Sequence, residues 1–278
     1  MIKRAHVVIF IVLIFLAGCT NGEKKQTINA LDVYNSILID DNVALSKSLS
    51  QGFPMNYKNR DSLSLLDYSV IKDSLKSIEL LLSKGVDPDK NFSIFKVKSL
   101  SALKIFVKNN ADLNIKNEFG EPLLINFIKK KPTNYSLLLI ERKVNIKATD
   151  DDGWSPIFWA SVTGDKKILD SLLKKGASPL IKDSKNNYPV YYASEEDKII
   201  SLLKYNYNLK ELNKDGEVIL GEVYLKAVAN NSTNIITLLY KKGVNPNYKS
   251  YGRGALSIAT EANNLEMIEF LQTHGVKE

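Results

Sequence analysis

The sequence is poor in the residues from which most enzyme sites are assembled. It holds one cysteine, Cys19, and two histidines, His6 and His274. A single cysteine excludes an intramolecular disulfide, so in an oxidising compartment the fold must stand on packing alone. Two histidines at opposite ends of the chain exclude a multi-histidine metal site, and with His6 in a segment that reads as cleaved, a histidine-based triad would have only His274 to use. His274, beside Gly275, reads as a cation at a helix end. No glycine-rich phosphate loop is present. Gly252-Arg253-Gly254 lacks the third glycine and the strand that dinucleotide binding requires, and it reads as a turn. Asp150-Asp151-Asp152-Gly153 begins like a calcium loop, but Asp165 falls beyond the place of a closing bidentate glutamate, and Ile157 and Phe158 intervene. Glu195 and Glu196 are adjacent, which on a helix points them about 100° apart and away from any shared target. The expectation is a protein with no catalytic residues, no metal and no cofactor.

Long apolar runs are also scarce. The uncharged stretch 5–19 falls short of the roughly 20 residues a bilayer-spanning helix needs. Preceded by Lys3 and Arg4 and ending in Leu16-Ala17-Gly18-Cys19, it reads as a cleaved processing segment. Leu-Ala-Gly-Cys resembles the lipobox of bacterial lipoproteins. That resemblance implies removal of residues 1–18 and lipidation of Cys19, whose several acyl chains would satisfy the requirement for stable anchoring in a membrane. Enterobacterial lipoproteins retained in the inner membrane carry Asp after the cysteine, so Thr20 implies the outer membrane, with the protein facing the periplasm. Residues 19–29 then form the lipid-bearing cysteine and a polar tether, and residues 30–278 the folded domain.

Neither sign of charge is in large excess. Without residues 1–18 the chain carries 36 basic and 31 acidic side chains. The cations are interleaved with acids or placed at helix ends, where they complement the C-terminal carbonyls. The densest run, Lys129-Lys130-Lys131, lacks the aromatics and clustered arginines of a nucleic-acid groove, so no nucleic acid partner is expected.

What the chain does have is a recurring helical ending, plainest in Leu81-Leu82-Ser83-Lys84-Gly85, Leu172-Leu173-Lys174-Lys175-Gly176 and Leu239-Tyr240-Lys241-Lys242-Gly243. The closing marker falls at Gly52, Gly85, Asn110, Lys143, Gly176, Asn206, Gly243 and Gly275, with spacings of 33, 25, 33, 33, 30, 37 and 32 residues. A period near 33 marks stacked helical repeats, none of which buries its apolar face alone. In the clearest repeat, residues 150–179, Ser155 caps a first helix, Pro156 occupies its first turn and Gly164 breaks it. A second helix then places Ile168, Leu169, Leu172 and Leu173 on one face, and Gly176 closes it.

Ser155-Pro156-Ile157-Phe158-Trp159-Ala160-Ser161 resembles the Thr-Pro-Leu-His-x-Ala-Ala of ankyrin repeats. The resemblance implies an all-α ankyrin-repeat α-solenoid of about eight helix-turn-helix units, some degenerate. The family's histidine is replaced by Asp67, Ile125, Phe158, Tyr191 and Ser257, so its hydrogen-bonded bridge between repeats is expected to give way to apolar packing. The third repeat, about eight residues short, has 91–97 in place of a proper first helix and is expected to pack loosely. The seventh carries about four extra residues over 213–225, as an enlarged loop or a longer first helix, and the sixth loses about three residues between its helices. The first, with polar Asp40, Asp41 and Asn42 between two short apolar stretches, reads as a capping repeat.

In ankyrin arrays the partner surface is built from hairpin tips and the exposed face of each first helix. Carried over, this selects Arg60, Asp61, Leu63, Ile71 and Lys72 in the second repeat and Glu118, Phe119, Glu121, Lys129 and Lys130 in the fourth. It selects Asp151, Asp152, Trp154, Val162 and Thr163 in the fifth, and Ser184, Lys185, Asn187, Glu195 and Glu196 in the sixth. The eighth gives Ser250, Tyr251, Arg253, Glu261 and Ala262. Phe119, Trp154 and Tyr251 are aromatics at tips, where burial within the repeat is not expected, and interface hot spots favour such residues. Trp159 could face the core or the groove. Lipobox and divergent ankyrin array together resemble the immunity lipoproteins paired with type VI secretion phospholipase effectors. That implies a protein partner, a phospholipase toxin, held by a chain that is a monomer when free. The alternative is an ankyrin scaffold or chaperone-like lipoprotein that stabilises or tethers a periplasmic enzyme.

Overall fold

The computed structural model describes residues 28–205 and 214–277. The processing segment with Cys19, the Asn206 marker and the start of the seventh repeat's insertion at Asn213 lie outside the described residues. The chain falls into two compact units divided after Asp112. In the first, α1 (Ala30–Leu38) pairs with α2 (Asn42–Ser50) and α3 (Leu65–Lys72) with α4 (Leu75–Ser83), and a 3-10 segment (Lys90–Lys96) precedes α5 (Leu100–Lys108). In the second, α6 (Leu123–Lys130) pairs with α7 (Thr133–Glu141), α8 (Pro156–Val162) with α9 (Lys166–Lys174), and α10 (Pro189–Tyr192) with α11 (Glu196–Lys204). There follow α12 (Lys214–Ala229) with α13 (Thr233–Lys241), then α14 (Ala255–Glu261) with α15 (Leu265–Thr273). The strand content among the described residues is one ribbon, β1 (Lys249–Ser250) against β2 (Arg253–Gly254), which forms a hairpin tip.

The cores follow from the 3.6-residue period. Ile78, Leu81 and Leu82 of α4, Ile168, Leu169, Leu172 and Leu173 of α9, and Ile235, Ile236 and Leu239 of α13 each form one buried stripe. Each such side chain contributes about 1.5–3 kcal/mol by leaving water. The recurring ending is a left-handed cap with two backbone bonds. Gly85 N–H donates to the Leu82 carbonyl (3.0 Å) and Val86 N–H to the Leu81 carbonyl (3.1 Å), and Gly176 and Ala177 repeat the pattern. Glycine suits the position because φ is +87° at Gly85 and +90° at Gly176. Lys143 holds the same place at φ +59° with a side chain that pays a steric cost there. Lys143→Gly is therefore expected to stabilise the protein by about 0.5–1 kcal/mol, seen as a rise of roughly 1–4 °C in the thermal midpoint followed by circular dichroism. An unchanged or lower midpoint would refute this.

Several expectations change. The third repeat is not loosely packed, since Ser93, Ile94 and Val97 are fully buried. Two consecutive left-handed residues, Asn91 (φ +59°) and Phe92 (φ +55°), turn the short segment so that it reaches α3 without a full first helix. The interrepeat bridge has not given way to apolar packing at Asp67. Its carboxylate closes a capping box with Ser64 and accepts from Ser93 Oγ (3.0 Å) and Lys96 Nζ (2.8 Å) of the next repeat. Ile125 and Phe158 are buried as apolar replacements, whereas Tyr191 is 42% exposed and Ser257 also faces solvent. Ser155 precedes α8, but its side chain makes no cap bond and its buried Oγ has no partner. Pro156 at the first helical position removes one N–H, and the Phe158 N–H bonds to the Ser155 carbonyl instead. The seventh repeat has the longer first helix, α12, of 16 residues, and in the sixth α10 is a single turn. In the first repeat Asp41 caps α2 and Asp40 reaches across to the α4 backbone at Ser77 N (2.9 Å). Leu38, Ile39 and Val43 stay half or more exposed, so this repeat is less polar than its loop suggests.

Candidate functional site

Four hairpin tips are each tied by one Asx side chain. Asn59 Oδ1 accepts from the backbone of Asp61 and Leu63, and Asn117 Oδ1 from Phe119 and Glu121. Asp150 Oδ1 accepts from Trp154 N, and Asp183 Oδ1 from Lys185 and Asn187. These side chains hold the tips in fixed turns and so set the direction of the residues between them.

In the fifth and sixth repeats the second carboxylate oxygen has a further partner nine residues on. Trp159 Nε1 donates to Asp150 Oδ2 (2.7 Å), and the Tyr192 hydroxyl donates to Asp183 Oδ2. Asn187 Nδ2 also bonds to the Tyr192 oxygen (3.0 Å). Burial first, and the Asp183 carboxylate beside it, raise the Tyr192 phenol above its ordinary value, so it stays a neutral donor. In the fourth repeat the equivalent residue, Asn126, donates instead to Glu121 Oε2 (2.6 Å). The side chains one residue past the family's histidine position thus turn toward the hairpin tips, half-buried at Trp159 and Tyr192 and buried at Asn126. Trp159 is among them.

The rings form one cluster. Trp154 stacks on Phe158 (centroids 5.4 Å, planes 28° apart) and lies 5.1 Å from Trp159 and 4.7 Å from Tyr192. Tyr191 meets Tyr192 edge-on at 5.2 Å. Lys129 Nζ sits 4.1 Å above the Trp159 ring while pairing with Glu121 Oε1 at 2.7 Å, and Lys130 approaches the other oxygen at 3.6 Å. Burial alone would raise the Glu121 carboxyl. Hydrogen bonds from Lys129 and Asn126 and the charges of Lys129 and Lys130 outweigh it, and the group lies below its ordinary value.

The residues selected from sequence therefore divide. Glu118, Asp151, Asp152, Lys185, Ser184 and Thr163 are exposed, and Phe119 (74%) and Tyr251 are open to solvent. Arg253 and Glu261 pair with each other, and Glu195 pairs with the buried Lys198. Two placements need correction. Glu121 is buried, because two lysines and an asparagine of its own repeat consume it. Trp154 is half-buried, folded back on its own and the next repeat. Val162, Asn187, Glu196 and Ser250, the last within β1, are half-buried, and Ala262 is exposed at the end of α14. In the first unit Arg60, Asp61 and Lys72 are exposed, with Lys72 Nζ 5.3 Å over the Tyr68 ring, while Leu63 and Ile71 are half-buried. Asp150, Asp183 and Tyr192 were missed. Their signal is an Asx followed nine residues later by an aromatic, at 59 and 68, 150 and 159, and 183 and 192.

The site is an open face of aromatic and paired charged side chains, which suits a macromolecular surface. Among the described residues no three His, Cys, Asp or Glu side chains are placed to hold a metal ion, and no helix is long and apolar enough to cross a membrane.

A family model described as ankyrin repeats, in three copies, matches residues 93–183. Potassium channel AKT2/3 of Arabidopsis thaliana is 26% identical over 220 residues, covering 65% of this chain but only 27% of the channel. The human ASB11 ankyrin repeat domain aligns with a TM-score of 0.55 at 18% identity, over 76% of this chain and 96% of that one. A chain in the complex of the Bdellovibrio bacteriovorus predatory endopeptidase Bd0816 with immunity protein Bd3460 aligns with a TM-score of 0.51 at 18% identity, over 62% of this chain and 97% of its own. With the capped helix pairs and tied hairpin tips, these matches make the fold an all-α ankyrin-repeat solenoid, with the family's repeats matched over residues 93–183.

Proposed function

We propose that this chain is an immunity protein that binds a type VI secreted phospholipase and keeps it from its substrate in the periplasm, with the chain held to the membrane by a lipid on Cys19. The observation that carries the binding role is the groove face of the second unit, where Trp154, Trp159 and Tyr192 form a ring cluster braced by Asp150 and Asp183. Exposed Phe119 and Tyr251 stand at other tips of the same unit. Rigid aromatic side chains held by hydrogen bonds lose little freedom on binding, which favours affinity. A similarly folded chain occurs in a complex of a bacterial endopeptidase with an immunity protein, which supports an enzyme as the partner class. The lipobox-like Leu16-Ala17-Gly18-Cys19 supports the anchored, periplasmic location.

The test is co-expression. A candidate phospholipase directed to the periplasm should arrest growth alone and fail to do so with this chain present, and the purified pair should form a complex with lost lipase activity. Unchanged killing would sink the immunity reading. A complex in which the enzyme stays active and gains thermal stability would identify a scaffold instead.

A further inference from the structure

The lysines of the second unit are treated in two ways. Several are engaged: Lys129 and Lys130 with Glu121, Lys198 with Glu195, and Lys226 with the Ala193 carbonyl. Where the second helices close, most are not. α7, α9, α11 and α13 pack side by side in that order, and their ends carry Arg142 and Lys143, Lys174 and Lys175, Lys204, then Lys241 and Lys242. Arg142, Lys143, Lys174, Lys175, Lys204 and Lys241 are all exposed, and none makes a side-chain hydrogen bond or ion pair with a described residue.

Helix dipoles do not account for the row. Each C-terminus is equivalent to about half a negative charge, so four helices offset roughly two of the cations. Glu141 is the only acid in these closing segments, Asp170 beside them pairs with Lys166, and Asp197 lines one cavity with Lys174 and Lys204, which leaves a net excess of about three positive charges. Neighbouring helices lie about 8–10 Å apart, so the row spans roughly 30 Å. None of the unit's exposed large apolar residues, Phe119, Tyr191, Val218, Tyr251 and Leu265, lies in these segments. A protein interface would be expected to supply such an anchor. Evenly spaced lysines on flexible stems suit instead a diffuse anionic plane.

We propose that this row is a contact surface for an anionic lipid bilayer, which would orient the second unit on the membrane whatever partner its groove binds. The full-length chain is mixed with phosphatidylcholine vesicles or with vesicles containing phosphatidylglycerol, lysines are acetylated with a water-soluble reagent, and each site is read by mass spectrometry. Acetylation of Lys174, Lys175, Lys204 and Lys241 should be about fivefold or more slower on the phosphatidylglycerol vesicles, and the difference should vanish at about 0.5 M salt. Lys167, at the opposite end of α9, and the tip residue Lys185 should react alike on both. A Lys174→Gln/Lys204→Gln/Lys241→Gln variant, altered only at exposed positions, should lose the protection of Lys175. Equal rates on both vesicles would overturn the proposal and leave the row to an acidic protein. Protection of Lys185 in place of the row would equally overturn it.

Discussion

Asp67→Ala should lower the stability of the first compact unit by about 3 kcal/mol, the range for removing one partner of a buried, hydrogen-bonded ion pair. The Asp67 side chain is 2% exposed, and it serves the capping box of α3, Ser93 and Lys96 at once. Its loss removes the acceptor of the Ser64 hydroxyl and leaves Ser93 and Lys96 only the Lys90 and Asn91 carbonyls. The partly exposed Lys96 can return to water, so Lys96→Ala should cost less, and the double variant should lose less than the sum of the two. The pH dependence carries the same signature. Burial pushes the Asp67 carboxyl up, but hydrogen bonds from Lys96, Ser64 and Ser93 more than reverse this and hold it below its ordinary value. A depressed carboxyl contributes its full stability above the unfolded-state value, near 4, and loses it as pH falls through the lower folded-state value. Urea denaturation of wild type should therefore weaken over that acid range, and the carboxyl's share of the weakening should be absent in Asp67→Asn. A loss under 1 kcal/mol for Asp67→Ala would contradict the bridging role.

The repeats were legible because their ending is dictated locally. A left-handed cap needs glycine or a tolerated substitute, and Leu-Leu one turn earlier must face the core, so Gly85, Gly176 and Gly243 announce themselves in a single sequence. The register counted from those markers placed Ile125 and Phe158 in the core and Phe119 and Tyr251 in solvent. What was not legible depends on partners in other repeats. Asp67 looked like a lost histidine because the residues that satisfy it, Ser93 and Lys96, lie 26 and 29 positions away in a segment with no helical period. Trp154 looked like an exposed tip because its packing depends on Tyr192 from the following repeat. Glu121 was read as outward by position alone, and two lysines on the next helix drew it in.

Trp159→Ala is expected to weaken the complex with the partner enzyme by about 30-fold or more, the scale of a hot-spot residue. Trp159 is half-buried on the groove face, held by Asp150 and covered by Lys129, so its ring is fixed before any partner arrives. Trp159→Phe keeps most of the ring but removes the Nε1–H bond, and it should lose less. Tyr251→Ala, at a fully exposed tip, should leave the thermal midpoint unchanged whatever it does to binding. Trp154→Ala is a poorer probe, because it removes the stack on Phe158 and Tyr192 and should lower stability together with affinity. The chain supplies its own reporter. Trp154 and Trp159 are its only tryptophans, and their ring centroids lie 5.1 Å apart, so selectively excited tryptophan emission reads this cluster alone. A tryptophan-free variant of the partner should shift the emission on titration, with a midpoint that moves to higher concentration in Trp159→Phe. Tight binding with neither a spectral change nor sensitivity to Trp159→Ala would place the contact elsewhere on the chain.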